Sequence, residues 1–352
     1  MMKQGKEARK RRKIAVIVLL VLLLIVIALV SGFQILKAVG KANLRKAAAN
    51  QAPELESQEV VTKEEEEEGI ISHSGKKYRY NDGITTILCM GVDTTKEVKS
   101  KQIGNAGQAD AIFLLVLDEK KQKMSLIGIP RDTMTDISIY DMYGTYFATE
   151  KEHLALQYAY GDAKAISGSA MVTAVSNLMY GLPIHGYAAI NLEAISTIND
   201  SVGGVTVTVP GEDTEFLKDN GYTAGEKVTL NGDTAETFVR NRDCKTFASN
   251  NLRIGRQKEY MINFIQTAKE AMKGNITLPV QIFQEITPYL NTDISIDKVT
   301  YLATLASGMS FDSSQLQVLT GEVRQGEIYE EYYLDENALY ELILNVFYEE
   351  AK

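Results

Sequence analysis

The longest unbroken apolar stretch of the chain comes first. From Ile14 to Val30 there is no charge and almost nothing but Ile, Val, Leu and Ala, and Ser31, Gly32 and Phe33 extend the run. About 20 such residues, at ~1.5 Å each, span a bilayer core as a helix. A cleaved leader fits less well, because the run is too long and no small-x-small cleavage site follows it closely. A buried helix of a soluble domain would keep a polar stripe. Residues 34–79 then lose all apolar periodicity, and Glu64 to Glu68 is unbroken acid. This predicts a solvated stalk. Patterned order begins near Tyr80.

Three short apolar runs follow, Thr85 to Met90, Ala111 to Leu117 and Met124 to Ile129, the last stopped by Pro130. They read as buried strands. The polar turn Asp118 to Gln122 is short enough to fold the second run back on the third. Further strands are predicted at His185 to Ile190, Val205 to Val209 and Leu316 to Leu319. Helical periods cover Leu154 to Tyr160, Ser169 to Met179, Glu193 to Val202, Gly232 to Val239 (capped by Asn231), Leu252 to Met272, Ser295 to Ser307 and Asp335 to Tyr348. Strands interleaved with helices predict an α/β domain, a mixed central sheet covered by helices on both faces, preceded by one transmembrane helix.

Charge orients this plan. Lys3, Lys6, Arg9, Lys10, Arg11, Arg12 and Lys13 precede the apolar run, with Glu7 the lone acid among them. That places residues 1–13 as a cytoplasmic tail, 14–33 as a single-pass anchor in the cell membrane, and the rest outside. Lipid-linked precursors and wall polymers are available there, whereas ATP is not. The 352 residues carry a formal charge of -9 despite the basic tail, so the exported part is acidic and no nucleic acid is expected as partner. Cys89 and Cys244 are too few for a disulfide scaffold, and two free thiols are expected.

Several chemistries are missing. There is no His-Glu-x-x-His, no Gly-x-Ser-x-Gly and no phosphate loop ending in Gly-Lys-Ser/Thr, and His73, His153 and His185 stand apart. Polar clusters sit instead at the ends of apolar elements. Asp93 follows the first strand, Asp110 precedes the second, and Arg131 and Asp132 follow the third. In an antiparallel meander these positions meet at one sheet edge. Arg240 and Arg242 project to one side of an extended segment. Arg253, Arg256 and Gln257 share a helix face. Each of the last two clusters reads equally as ordinary solvated surface. Together, arginine forks suit phosphate oxygens, and paired carboxylates suit a Mg²⁺ that bridges them. Transfer at phosphorus needs positioning and charge neutralisation rather than an enzyme nucleophile. The inventory points to a pyrophosphate or phosphodiester substrate.

An ordered set of short motifs carries a resemblance. Gly91-Val92-Asp93, Gln108-Ala109-Asp110, Ile129-Pro130-Arg131-Asp132-Thr133, Tyr158-Ala159-Tyr160-Gly161-Asp162, Asp200-Ser201-Val202-Gly203-Gly204-Val205, Val239-Arg240-Asn241-Arg242, Arg253 and Arg256-Gln257 occur in the order of the LytR–CpsA–Psr family. From about Thr85 to the C-terminus the chain resembles that family, so residues 80–352 are expected to form its catalytic domain. The resemblance implies a Mg²⁺-dependent phosphotransferase that moves a glycopolymer from a polyprenyl-pyrophosphate carrier to peptidoglycan, with a lipid cavity between sheet and helices. It implies Asp93 and Asp110 as metal ligands. Arg131, Arg240, Arg242 and Arg253 would grip the pyrophosphate, with Arg256 and Gln257 on the same substrate face. Where the family often has an arginine after the first aspartate, this chain has Thr94, Thr95 and Lys96, and Lys96 is the substitute. Where an aspartate often precedes the helix arginine, it has Asn250 and Asn251.

The expected walls of the lipid cavity are the helices Ser169 to Met179, Glu193 to Val202 and Leu252 to Met272. An ordinary packed core explains their apolar stripes as well. Two other function classes fit the same residues: a prenyl-pyrophosphate pyrophosphatase, which would release free polymer, and a non-enzymatic regulator of the cell envelope.

Overall fold

The computed structural model describes residues 31–48, 52–241 and 249–351. The basic tail, the apolar run up to residue 30, Arg242 and Cys244 lie outside the described residues. Among the described residues no helix is long and apolar enough to cross a membrane.

The meander is present. Strand Ile84–Val92 pairs antiparallel with Ala109–Asp118, which pairs antiparallel with Lys123–Gly128. Asp118 fixes the turn between the last two. Its Oδ1 accepts the backbone N–H of Lys120 and of Lys121, both at 2.9 Å, while Oδ2 accepts from the Asn81 side chain at 2.9 Å. Tyr187–Asn191 adds parallel to Ile84–Val92, and Leu316–Val318 parallel to Lys123–Gly128. Leu290–Thr292 closes one side antiparallel, giving a mixed sheet of six strands.

Strand alternation sorts the sheet residues to two faces. Leu88, Met90, Ile112, Leu114, Val116 and Ile127 pack under helices Ala165–Leu178 and Glu336–Phe347. Ile87, Phe113, Leu115, Leu117 and Leu126 face the long helix Ser249–Gly274, helix Ile296–Gly308 and a helix over 31–47. This arrangement corrects the walls expected for the lipid cavity. The helix around Ser169–Met179 lies on the opposite face of the sheet from the long helix, so the two cannot wall one tunnel. Between the long helix and the sheet, at Ile254, Phe113, Ile129 and Val318, the open space is about 10 Å³. Strand Val205–Thr208 is not in the central sheet. It pairs with Lys227–Leu230 and, with Phe216, Phe238 and Tyr260, forms a small second core against the long helix.

Of residues 34–79, expected as a stalk, 34–48 and 52–79 are folded onto the domain. Leu44 is 1% exposed against Ile87, Ile294 and Tyr301. Gly40 lets its helix lie on the backbone of Asp297, where a Cβ would clash with a carbonyl. Strands Ile70–His73 and Lys76–Tyr80 form a three-stranded sheet with the C-terminal Tyr348–Glu350. The acidic run is a short helix, Lys63–Glu67, whose Glu65 pairs with Lys77. Glu68 pairs with Arg79 at 2.6 Å. These ion pairs tie the acidic run to the neighbouring strand, while Leu55, Ile70 and Ile71 bury the segment's apolar side chains.

His185, isolated in sequence, is 1% exposed. Its Nδ1 accepts the Thr86 backbone N–H at 3.1 Å. Burial, aided by the nearby Arg45 charge, pushes its pKa down to about 4. In the unfolded chain an imidazole titrates near ~6.5, so between those values the unfolded state binds more protons. The neutral ring's contribution is complete above that range and is lost as pH falls through it, by up to ~1.4 kcal/mol per pH unit. His185→Asn keeps an acceptor for Thr86 but cannot titrate. Denaturation midpoints followed downward from neutral pH should fall more steeply for wild type than for this variant. Parallel curves would exclude His185 as the cause.

Candidate functional site

The site grows from a register fault. Gly91 pairs with Ala111 and Val92 with Ala109, so Asp110 is an extra residue in its strand. Such a bulge re-aims one side chain at a sheet edge. Asp93 follows on the neighbouring strand, exposed, its Oδ1 accepting the Gln108 backbone N–H at 2.6 Å. Gly107, at φ 87°, closes this turn against Asp93 and Thr94, where a Cβ would not fit.

Two arginines converge on Asp110. Pro130 ends the third strand, and the next residue, Arg131, turns its guanidinium back along the edge. Its Nη1 donates to Asp110 Oδ1, its Nη2 to Gln108 Oε1 at 2.5 Å and its Nε to Asp132 Oδ1 at 3.0 Å. From the first turns of the long helix, Arg253 Nη1 donates to Asp110 Oδ2 at 3.1 Å. Its Nη2 donates to Asn250 Oδ1 at 2.9 Å, and Asn250 Nδ2 donates to Asp132 Oδ2 at 2.8 Å. The Arg253 side chain is 3% exposed, Arg131 14% and Asp110 26%, so the network opens outward from the helix to the edge. There it meets a cleft of about 880 Å³. Gln108, Arg131 and Asp132 lie at its inner end, between the hairpins Met134–Tyr140/Tyr146–His153 and Gly321–Gln325/Glu330–Leu334.

The remaining expected residues fall elsewhere. Arg256 is fully buried. It pairs with Asp213, donates to the carbonyls of Phe238 (2.8 Å) and Asn241, and stacks 3.9 Å from the Phe216 ring. Burial lowers its pKa to about 10. Helix spacing put Arg253 and Arg256 on one face, but Asp213, remote in sequence, draws Arg256 into the second core. The substrate face assigned to it is therefore corrected to a structural role. Gln257 Nε2 donates to the Val239 carbonyl at 3.1 Å, tying the long helix to helix Gly232–Arg240. Arg240, at the end of that helix, pairs with Glu236 at 3.0 Å and is 53% exposed. Lys96 is exposed, and its carbonyl accepts from Asn191 at 2.6 Å. Asp162 accepts the N–H groups of Lys164 (2.9 Å) and Ile166 (3.0 Å), so this motif starts a helix. Gln108 and Asn250 were not picked out as site residues. Gln108 stood only inside a motif, and Asn250 only as a departure.

Among the described residues no group of three or more His, Cys, Asp or Glu could hold a metal. Asp93 and Asp110 follow one another across the edge, and both Asp110 oxygens are already engaged by arginine.

A carboxylate clamped by two guanidiniums at the edge of a mixed sheet, over an open cleft, marks the candidate site of an α/β protein. The LytR_cpsA_psr family matches residues 42–344, and the chain belongs to it. The polyisoprenyl-teichoic acid–peptidoglycan teichoic acid transferase TagU of Oceanobacillus iheyensis is 26% identical over 243 residues, 68% of either chain. Its Bacillus cereus counterpart is 31% identical over 171 residues, covering 49% of this chain and 48% of that one. Among solved structures, B. subtilis TagV superposes with a TM-score of 0.55 at 23% identity, covering 75% of this chain and 95% of that chain. TagT bound to LI-WTA gives 0.55 at 20%, covering 75% and 89%. These two structures share the fold.

Different burial should separate the two arginines of the second core and its rim. Arg256→Lys keeps a charge but abandons two carbonyls and the ring stack, and should lower stability by about 3 kcal/mol. Arg240→Lys exchanges one exposed pair and should leave the melting temperature unchanged. Equal melting temperatures for wild type and Arg256→Lys would contradict the structural role.

Proposed function

We propose that the chain is a membrane-anchored phosphotransferase that moves a glycopolymer from a polyprenyl-pyrophosphate carrier onto peptidoglycan, at a muramic acid hydroxyl. The observation that carries this reading is the Asp110 carboxylate divided between Arg131 and Arg253 beside an open cleft. Family membership and the printed activity of the TagU relatives support it. The apolar run 14–33 after a basic tail supports an N-terminus inside and a domain outside.

In this reading the acceptor oxygen attacks the sugar-proximal phosphorus, the bond to the bridging oxygen breaks, and polyprenyl phosphate leaves. Arg131 turns part of its fork from Gln108 and Asp110 to phosphate oxygens. Arg253, held deep in the network, keeps Asp110 oriented. Asp93, exposed at the lip, takes the acceptor's proton. Arg240, at the end of helix Gly232–Arg240, and Arg242, two residues on in sequence, supply further guanidiniums. The Arg240–Glu236 pair is an exposed i,i+4 contact worth only ~0.3–0.5 kcal/mol, so a phosphate displaces it readily. Once Arg131 turns to phosphate, the Asp110 oxygen it leaves would join Asp93 in holding Mg²⁺, whose other ligands are commonly waters and substrate phosphates. Bound there, the ion would neutralise charge on the pyrophosphate.

The test is purified protein with a prenyl-pyrophosphate glycan donor, peptidoglycan oligomer and Mg²⁺. Arg131→Ala and Arg131→Lys should each slow transfer about 10- to 100-fold, since a point charge does not replace the fork. Arg240→Ala should also slow it, with an unchanged melting temperature. Polymer released but never ligated would make the protein a pyrophosphatase. Wild-type rates in both Arg131 variants would sink the mechanism.

A further inference from the structure

We infer that the cleft between the two hairpins is the acceptor subsite, that it binds a glycan strand through the faces of its sugar rings, and that it turns polyanionic polymer away. This rests on the transferase reading above and adds which surface serves which substrate. The cleft of about 880 Å³ begins at Arg131 and Gln108, so whatever occupies it reaches the reacting edge. Its walls are aromatic and amphipathic. Tyr329 is 70% exposed on one hairpin and meets the His153 ring of the other edge-on, centroids 6.4 Å apart. Tyr160, Leu156 and Met134 line the same space. A large exposed ring costs free energy in water unless something covers it. Pyranose rings carry flat C–H faces that stack on such rings, and their hydroxyls and amides find partners in side chains such as Lys151 and Gln325.

Charge decides between the two substrates. Among the described residues, Asp132, Glu152, Glu327, Glu330 and Glu331 line the cleft, against Arg131 and Lys151. The balance is acidic over a space comparable to a Debye length of ~10 Å, so it acts on anything inside. A phosphate-bearing polymer is repelled there, while the largely uncharged sugar face of peptidoglycan is not. Like-charge rejection keeps the donor polymer out of the acceptor subsite. The donor polymer has to reach Arg131 from outside this cleft.

The chain contains no Trp, so Tyr329→Trp creates a single fluorescent reporter that keeps a stacking face. With full-length protein in detergent, an N-acetylglucosamine oligomer, which has the same sugar faces without the lactyl carboxylates of free muramic acid, should shift its emission saturably, and poly(glycerol phosphate) should not. Tyr329→Ala should raise the acceptor KM at least tenfold and leave the donor KM unchanged. The double variant Glu152→Gln/Glu331→Gln should retain glycan binding and gain competition by poly(glycerol phosphate) that weakens with salt. A silent reporter, a change in donor rather than acceptor KM, or no gain in polyanion competition would each overturn the assignment. Binding is read without turnover, so an absence of transfer by wild type would count against the proposed function and not against the cleft.

Discussion

The edge of this molecule depends on sharing one carboxylate between two arginines. Arg253 is almost wholly buried, and a buried guanidinium is tolerated only when its charge is met. Asp110 meets it with one oxygen and meets Arg131 with the other. The bulge supplies the geometry, because a regular strand would point residue 110 along the normal alternation. The pair therefore pins the first turns of the long helix to the second strand and holds the residue after Pro130 at the same place. Disturbing Asp110 would release three elements, not one.

The same helix shows how neighbours decide the use of an arginine. Arg253 and Arg256 are three residues apart and both buried, yet they serve opposite ends. Arg253 has carboxylate and amide partners at the sheet edge. Arg256 finds Asp213, two carbonyls and an aromatic face in the second core. A guanidinium surrounded this way has few donors left for a ligand. One arginine thus tunes the edge, while the other joins the small core to the large one.

Much of the central architecture was legible because it obeys short-range rules. The three apolar runs, the Asp118 turn and the stop at Pro130 carry the meander, and the meander carries Asp110 to Arg131. What was not legible depends on distant partners. Lys76–Tyr80 reads as polar, KKYRY, and becomes a strand because Ile70–His73 and the C-terminal Tyr348–Glu350 flank it. The hairpin of Met134–Tyr140 and Tyr146–His153 carries a local signal in the sequence. Asp141 at its turn accepts from the N–H groups of Tyr143 and Thr145, both at 2.9 Å, a pattern that Asp-x-x-Gly announces. Spacing alone could not separate Arg256 from Arg253, since nothing local names Asp213. Nor could apolar stripes say which face of the sheet a helix would cover.

The departure at Asn250 bears on charge at the edge. Its amide nitrogen donates to Asp132 while its carbonyl oxygen accepts from Arg253, so one neutral side chain joins an acid to a base. An aspartate at 250 would accept from Arg253 equally well but would set a second carboxylate against Asp132, and one of the two would then need a proton or a cation. With asparagine, the two buried or half-buried acids, Asp110 and Asp132, are balanced by Arg131 and Arg253, and Asp93 adds one exposed negative charge. An edge so balanced has no positive surplus to offer an incoming pyrophosphate. The charge would come from outside the network, which is the place that Arg240, Arg242 and a divalent cation take in the proposed reaction. In the proposed reaction, asparagine at 250 would thus leave anion binding to groups outside the network, which can arrive with the substrate.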